Sequence, residues 1–67
     1  MSANALDLAQ ALTSLSPEHR EVIVLRFLEQ RSADDVALIL GKSESAVRSL
    51  QHRALEALRQ RLGEDYE

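Results

Sequence analysis

An all-α protein of four helices is the fold class that this sequence predicts, and three observations carry the prediction. Two glycines and one proline stand among 67 residues, so few positions interrupt a helix. Ala, Leu, Glu, Arg and Gln are abundant, and all are good helix formers. Apolar residues recur at helical spacing between well-marked start and stop signals.

The elements follow in order. Asn4 is placed to cap a first helix, with Asp7 three residues on, where the positive helix end favours an acid. Leu8, Ala11, Leu12 and Leu15 form one apolar stripe on it. Ser16-Pro17-Glu18 combines a capping hydroxyl, a proline at the first helical position and a first-turn acid, which together start a second helix. Val22, Ile23, Val24, Leu25, Phe27 and Leu28 give this helix a wide apolar arc, about 200°, and place it at the centre of the domain. The β-branched content of residues 22–28 would also suit a buried strand; the proline cap, charged first turn and total length favour helix.

Ser32 starts a third helix, with Asp35 as a capping-box-like acid and Val36, Ala37, Ile39 and Leu40 on the inner face. Gly41 ends it, since the residue after a helix commonly needs the left-handed conformation. Ser43 caps a fourth helix that runs to about Leu62, before Gly63. Val47, Leu50, Ala54, Leu55, Leu58 and Leu62 share an arc of about 140° on this helix. Arg48, Ser49, His52, Arg53, Glu56, Arg59 and Gln60 lie on the other side. Residues 1–62 thus form one domain, and residues 63–67 an acidic tail expected to be solvated and flexible.

Composition bounds the function. A chain this short buries only about 60% of the surface its unfolded form exposes, so its stability is marginal. Without cysteine it has no disulfide and no thiolate metal site. Its two histidines are too few and too far apart to predict a metal centre, and no cofactor is expected. No apolar run approaches the roughly 20 residues of a membrane span, and no signal-peptide pattern opens the chain. The expectation is a soluble, cytoplasmic protein with no membrane partner. Asp34 and Asp35 read as first-turn helix acids rather than a catalytic pair. There is no nucleophile constellation and no Gly-rich phosphate loop, so neither an enzyme nor a small-molecule substrate is expected.

The formal net charge of −3 argues against nucleic acid at first sight, because phosphate is neutralised by Lys and Arg. Its distribution weakens the objection. Residues 63–67 carry three acids, whereas residues 43–62 carry four arginines against two glutamates. The positive excess sits on the fourth helix.

Two short amphipathic helices meeting at Gly41-Lys42-Ser43 form a helix-turn-helix pattern in the C-terminal half. In that motif the N-terminal end of the second helix enters the DNA major groove. Its exposed residues are Glu44, Ser45, Arg48, Ser49 and His52, with Arg53 at the flank. Arg48 suits a bidentate contact to a guanine edge, and Ser49 a bond to a base edge or a phosphate. Lys42 and Arg53 are placed for phosphates, and the helix N-terminus attracts anions. Small helical bundles that bind no nucleic acid can carry the same pattern, so spacing alone leaves both readings open.

The run from Leu15 through Ser16-Pro17-Glu18-His19-Arg20-Glu21-Val22-Ile23-Val24-Leu25-Arg26 to Phe27 resembles the opening of region 4 of bacterial sigma factors, the extracytoplasmic-function type especially. Asp34-Asp35-Val36-Ala37, Leu40-Gly41-Lys42-Ser43, Ala46-Val47-Arg48-Ser49 and His52-Arg53-Ala54 continue the resemblance in register, and Leu58-Arg59-Gln60-Arg61-Leu62 closes it. LuxR-type regulators share the core pattern, but the His-Arg-Ala segment and the charged close fit the sigma family better. The resemblance implies a four-helix domain that recognises the promoter −35 element, docks on the β flap of RNA polymerase and is a target of anti-sigma factors. It places Arg48, Ser49, His52 and Arg53 on the recognition helix, Lys42 and Ser43 at its start, and Arg20 and Arg26 in supporting phosphate roles. It also implies that the chain is one domain of a longer factor.

Departures from the family pattern add a second expectation. Leu50 stands where the family often has arginine, and Gln51 where it often has an apolar core residue, which implies a slightly rotated helix or a narrower base readout. Leu38 and Leu55 replace commonly charged or basic residues. Apolar side chains in place of surface charge make Leu38, Leu50 and Leu55 a candidate protein-partner surface, though singly exposed leucines are also ordinary. Two alternatives to promoter reading follow: a module that mainly binds an anti-sigma factor or another transcription regulator, and a LuxR-type output domain.

Overall fold

A computed structural model describes residues 5–64. Those residues form α1 (Ala5–Ser14), α2 (Pro17–Ile23), a π-helical turn (Val24–Leu28), α3 (Ala33–Leu40) and α4 (Glu44–Glu64), with no strand among them. The cap expected at Asn4 lies outside the described residues.

Three serines start helices as their chemistry requires. The Oγ of Ser16 accepts from the backbone N–H of His19 at 3.3 Å, that of Ser32 from Asp35 at 3.1 Å, and that of Ser43 from Ala46 at 3.1 Å. Each bond satisfies one of the donors that a helix start leaves without an intrahelical partner. At the far end of α3, Gly41 is left-handed, with φ 66° and ψ 36°. The following N–H, of Lys42, then reaches back to the carbonyl of Ala37 at 3.0 Å, the six-to-one closure of a helix end.

Two left-handed residues make a matched test. A Cβ on Gly41 would meet nothing within 4 Å, so Gly41→Ala carries only the backbone penalty, about 1–2 kcal/mol. Gln30 is the one non-glycine residue with positive φ among those described, at 57°. Gln30→Gly is therefore expected to hold or raise stability by up to about 1 kcal/mol. Urea melts should show a lower midpoint for Gly41→Ala and an equal or higher one for Gln30→Gly; a Gly41→Ala midpoint at or above the parent's would remove the backbone argument.

The second helix differs from expectation in its last turn. At Val24 the ladder widens: Glu29 N–H bonds Val24 C=O, and Arg31 N–H bonds Leu25 C=O, both at 2.9 Å. Arg26 braces the result. Its Nη1 donates to the Arg31 carbonyl at 2.7 Å, and its Nε donates to Oε1 of Gln51 on α4 at 3.0 Å. The guanidinium also lies 5.6 Å from the centre of the Phe27 ring, within cation–π range. The wide turn leaves Phe27 and Leu28 facing outward, so the apolar arc that buries this element is narrower than the sequence suggests. Ile39, expected on the inner face of α3, is also half-exposed.

The core is Leu15, Val22, Ile23, Val36, Val47, Leu50 and Ala54, with Leu12, Leu25, Ala37, Leu40 and Leu58 packed at its edge. Val22, Val36 and Val47 are fully enclosed, one from each of α2, α3 and α4. The long α4 is the spine, in contact with α1, α2 and α3. Leu50 points into this core and is only 4% exposed. It is therefore not part of a partner surface. It lies three residues after Val47 and four before Ala54, so all three share one helix face.

The fourth helix does not stop before Gly63 but continues to Glu64, so the acidic tail begins inside the helix. Residues 65–67, expected to be flexible, lie outside the described residues. No helix among those described is long and apolar enough to cross a membrane.

Candidate nucleic-acid interface

The turn Gly41-Lys42-Ser43 delivers α4 with Val47, Leu50 and Ala54 facing the core. A helix advances about 100° per residue, so that orientation fixes the opposite face. Ser45, Arg48, Ser49 and His52 are all exposed on the first two to three turns, and Arg53 is exposed at the flank. Lys42 and Ser43 are exposed at the start, and Glu44 is half-buried. The structure thus brings all eight candidate DNA-binding residues to one end of one helix. Burial of the opposite face does the sorting.

The cations on this surface are partly paired. The Nη2 of Arg48 lies 2.9 Å from Oε1 of Glu44, one turn before it. The Nζ of Lys42 lies 2.8 Å from Oε2 of Glu18, at the start of α2. That ammonium, by hydrogen bond and then by charge, holds the Glu18 carboxyl below its usual range, with smaller contributions from His19 and Arg53. Arg53 itself has no ion-pair partner among the described residues. Further along, Arg59 pairs with Glu56 at 2.6 Å and lowers its pKa in the same way.

Arg20 and Arg26, assigned supporting phosphate roles by resemblance, are engaged within the fold. Arg20 Nη1 donates to the carbonyls of Thr13 and Leu15 at 3.2 and 3.3 Å, where the end of α1 leaves acceptors open. Arg26 links the π turn to Gln51. This pairing explains how a polar residue fits at position 51: half-buried, with its amide oxygen satisfied. Sequence reasoning missed this link, because a contact across 25 residues leaves no local signal.

The candidate partner leucines divide. Leu38 on α3 is 82% exposed, the most exposed of the large apolar side chains among the described residues. Leu55 is 39% exposed and lines a groove of about 590 Å³ along the C-terminal half of α4, with His52, Leu58 and Leu62. Leu50 belongs to the core.

The chain matches the family described as Sigma-70, region 4, over residues 11–60, which include the helix-turn-helix and most of α4. The chain belongs to the sigma-70 region 4 family. It is 46% identical over 55 residues to the RNA polymerase sigma-E factor of Streptomyces antibioticus, covering 82% of this chain and 31% of that protein. It is 38% identical over 58 residues to the ECF RNA polymerase sigma factor BldN of Streptomyces coelicolor, covering 87% of this chain and 22% of that protein. A chain in the solved RsbN–BldN complex superposes with a TM-score of 0.80 at 36% identity, covering 82% of this chain and 40% of that one. Region 4 here therefore spans between about a fifth and a third of the full length of these sigma factors.

Proposed function

We propose that this domain reads the −35 element of promoters as region 4 of an extracytoplasmic-function type alternative sigma factor, and so helps direct RNA polymerase to initiation. The observation that carries the reading is the outward row Ser45, Arg48, Ser49 and His52, held on the first turns of α4 by the left-handed Gly41 and the buried Val47 and Leu50. In this reading Arg48 contacts base edges, Ser45 and Ser49 contact bases or phosphates, and Lys42, Ser43 and Arg53 hold the backbone. Glu44 steadies Arg48 from one turn away. His52 lies at the groove-facing edge. Membership of the sigma-70 region 4 family supports a role in DNA-binding regulation.

Two apolar patches, one on α3 and one on α4, serve proteins. Leu38 and the groove beside Leu55 are where the polymerase β flap or an anti-sigma factor would bury apolar area. Support comes from the likeness to a chain solved within a two-protein complex.

Two steps test the proposal. Selection from random duplexes by the purified domain should enrich one motif, and amide shifts of the labelled protein against that duplex should fall on residues 42–53. Enrichment of no motif, with shifts near Leu38 and Leu55 on adding a candidate protein partner and none near Arg48 on adding duplex, would favour a protein-interaction module without promoter reading. Enrichment of a palindrome bound by two copies would favour the LuxR-type alternative.

A further inference from the structure

Two acids stand at the basic face: Glu44 belongs to α4, and Glu18 does not. Glu18 is the second residue of α2, while Lys42 lies in the turn between α3 and α4. The Lys42 backbone is fixed by the left-handed Gly41 before it and by its own N–H bond to Ala37. From that fixed point its ammonium reaches Glu18 Oε2 at 2.8 Å, with both side chains in contact with water. A carboxylate meeting an ammonium at this distance offers what a phosphate oxygen would offer: negative charge and an acceptor. Arg53 and His19 are close enough to stabilise the same carboxylate.

We infer that Glu18 is a built-in counter-ion which occupies Lys42 in place of a DNA phosphate and thereby holds down the affinity of this domain for duplexes of any sequence. The inference rests on the DNA-binding reading of the α4 face. A duplex cannot use Lys42 without separating it from Glu18, and the released carboxylate then faces the phosphate backbone with the same sign of charge. Because the pair is exposed, the opposition is graded rather than a block. It acts on backbone contacts, which carry no sequence information, and leaves the base contacts of Arg48 untouched. The Arg48–Glu44 pair differs in that both members ride on one helix and enter the groove together.

The bland account of the same ion pair makes the opposite prediction. If Glu18 only ties the turn to α2, its loss loosens the placement of α4 and weakens DNA binding. The experiment compares the parent, Glu18→Gln, Lys42→Gln and the double variant. Fluorescence anisotropy is read on the duplex selected by the parent and on a scrambled duplex, across a salt series, and thermal melts confirm that each variant is folded. Glu18→Gln is expected to bind both duplexes about two- to fivefold tighter at low salt. Its log–log salt slope should be steeper by up to about one. The gain should shrink when Lys42 is already Gln, since the cycle isolates the pair.

A gain undiminished without Lys42 would mean a diffuse charge effect and would overturn the inference. If the parent binds and Glu18→Gln binds equally or more weakly, the counter-ion role is overturned while the DNA reading stands. If neither protein binds any duplex at low salt, the DNA reading fails and takes this inference with it.

Discussion

Leu50→Ala is expected to remove most of the stability of this domain. The side chain is 4% exposed and belongs to one core cluster with Val22, Val36, Val47 and Ala54. Truncating a buried leucine removes its transfer energy and leaves a cavity, together about 2–5 kcal/mol. A small domain without disulfides has little more than that to lose, because total stabilities start near 5 kcal/mol. Leu38→Ala is the control. Leu38 is 82% exposed, and surface changes of this kind usually stay within about 0.5 kcal/mol. Urea melts followed by helical circular dichroism should show a large loss for the first and almost none for the second. A Leu50→Ala midpoint close to the parent's would return Leu50 to the surface and undo the orientation of α4 on which the interface depends.

Arg48→Ala should weaken binding to the selected duplex by about 1–3 kcal/mol, roughly five- to 150-fold, and relax base preference at one position. Two effects combine. The guanidinium fork that can grip a guanine edge is lost, and Glu44 is left without the cation 2.9 Å away that balances it. Arg48→Lys separates the contributions, since lysine keeps the charge but not the planar fork. It should recover binding to scrambled duplex while recovering little of the sequence preference. Equal losses on selected and scrambled duplexes would make Arg48 a backbone contact and move base reading elsewhere on the helix. Stability should hardly change, because Arg48 is exposed.

The parts of this fold that were legible in the sequence are those set by nearest neighbours. Ser16, Ser32 and Ser43 cap because a hydroxyl before a helix has donors within three residues to accept from. Gly41 turns left-handed because the helix end next to it requires that conformation. The face of α4 that meets the core followed from spacing, and the exposed row Ser45–His52 followed from it in turn. What stayed hidden is of two kinds. The π turn depends on Arg26 bonding across to Gln51 and Arg31, and periodicity does not encode such bonds. Phe27 and Leu28 are exposed because the wide turn carries them outward, and Ile39 because so short a chain has too little mass to cover every apolar side chain. Leu50 teaches a different lesson. Its own spacing placed it in the core, and comparison with the family's usual arginine drew it out to the surface. The local physics was the better guide.

Each wide turn of a π-helix accommodates one residue more than the α-helix it interrupts. The stretch from Val24 to Leu28 is therefore tuned in length as well as in composition. Winding the same five residues as ordinary helix would rotate everything after them by about 100° relative to α2. Arg26 would then miss Gln51 or Arg31, and the path into Ser32 would begin from another side of the helix. A chain with one residue fewer in this stretch can instead reach Ser32 through ordinary helix in nearly the same phase, so sequences aligned to it are best compared first by their residue count between Pro17 and Ser32.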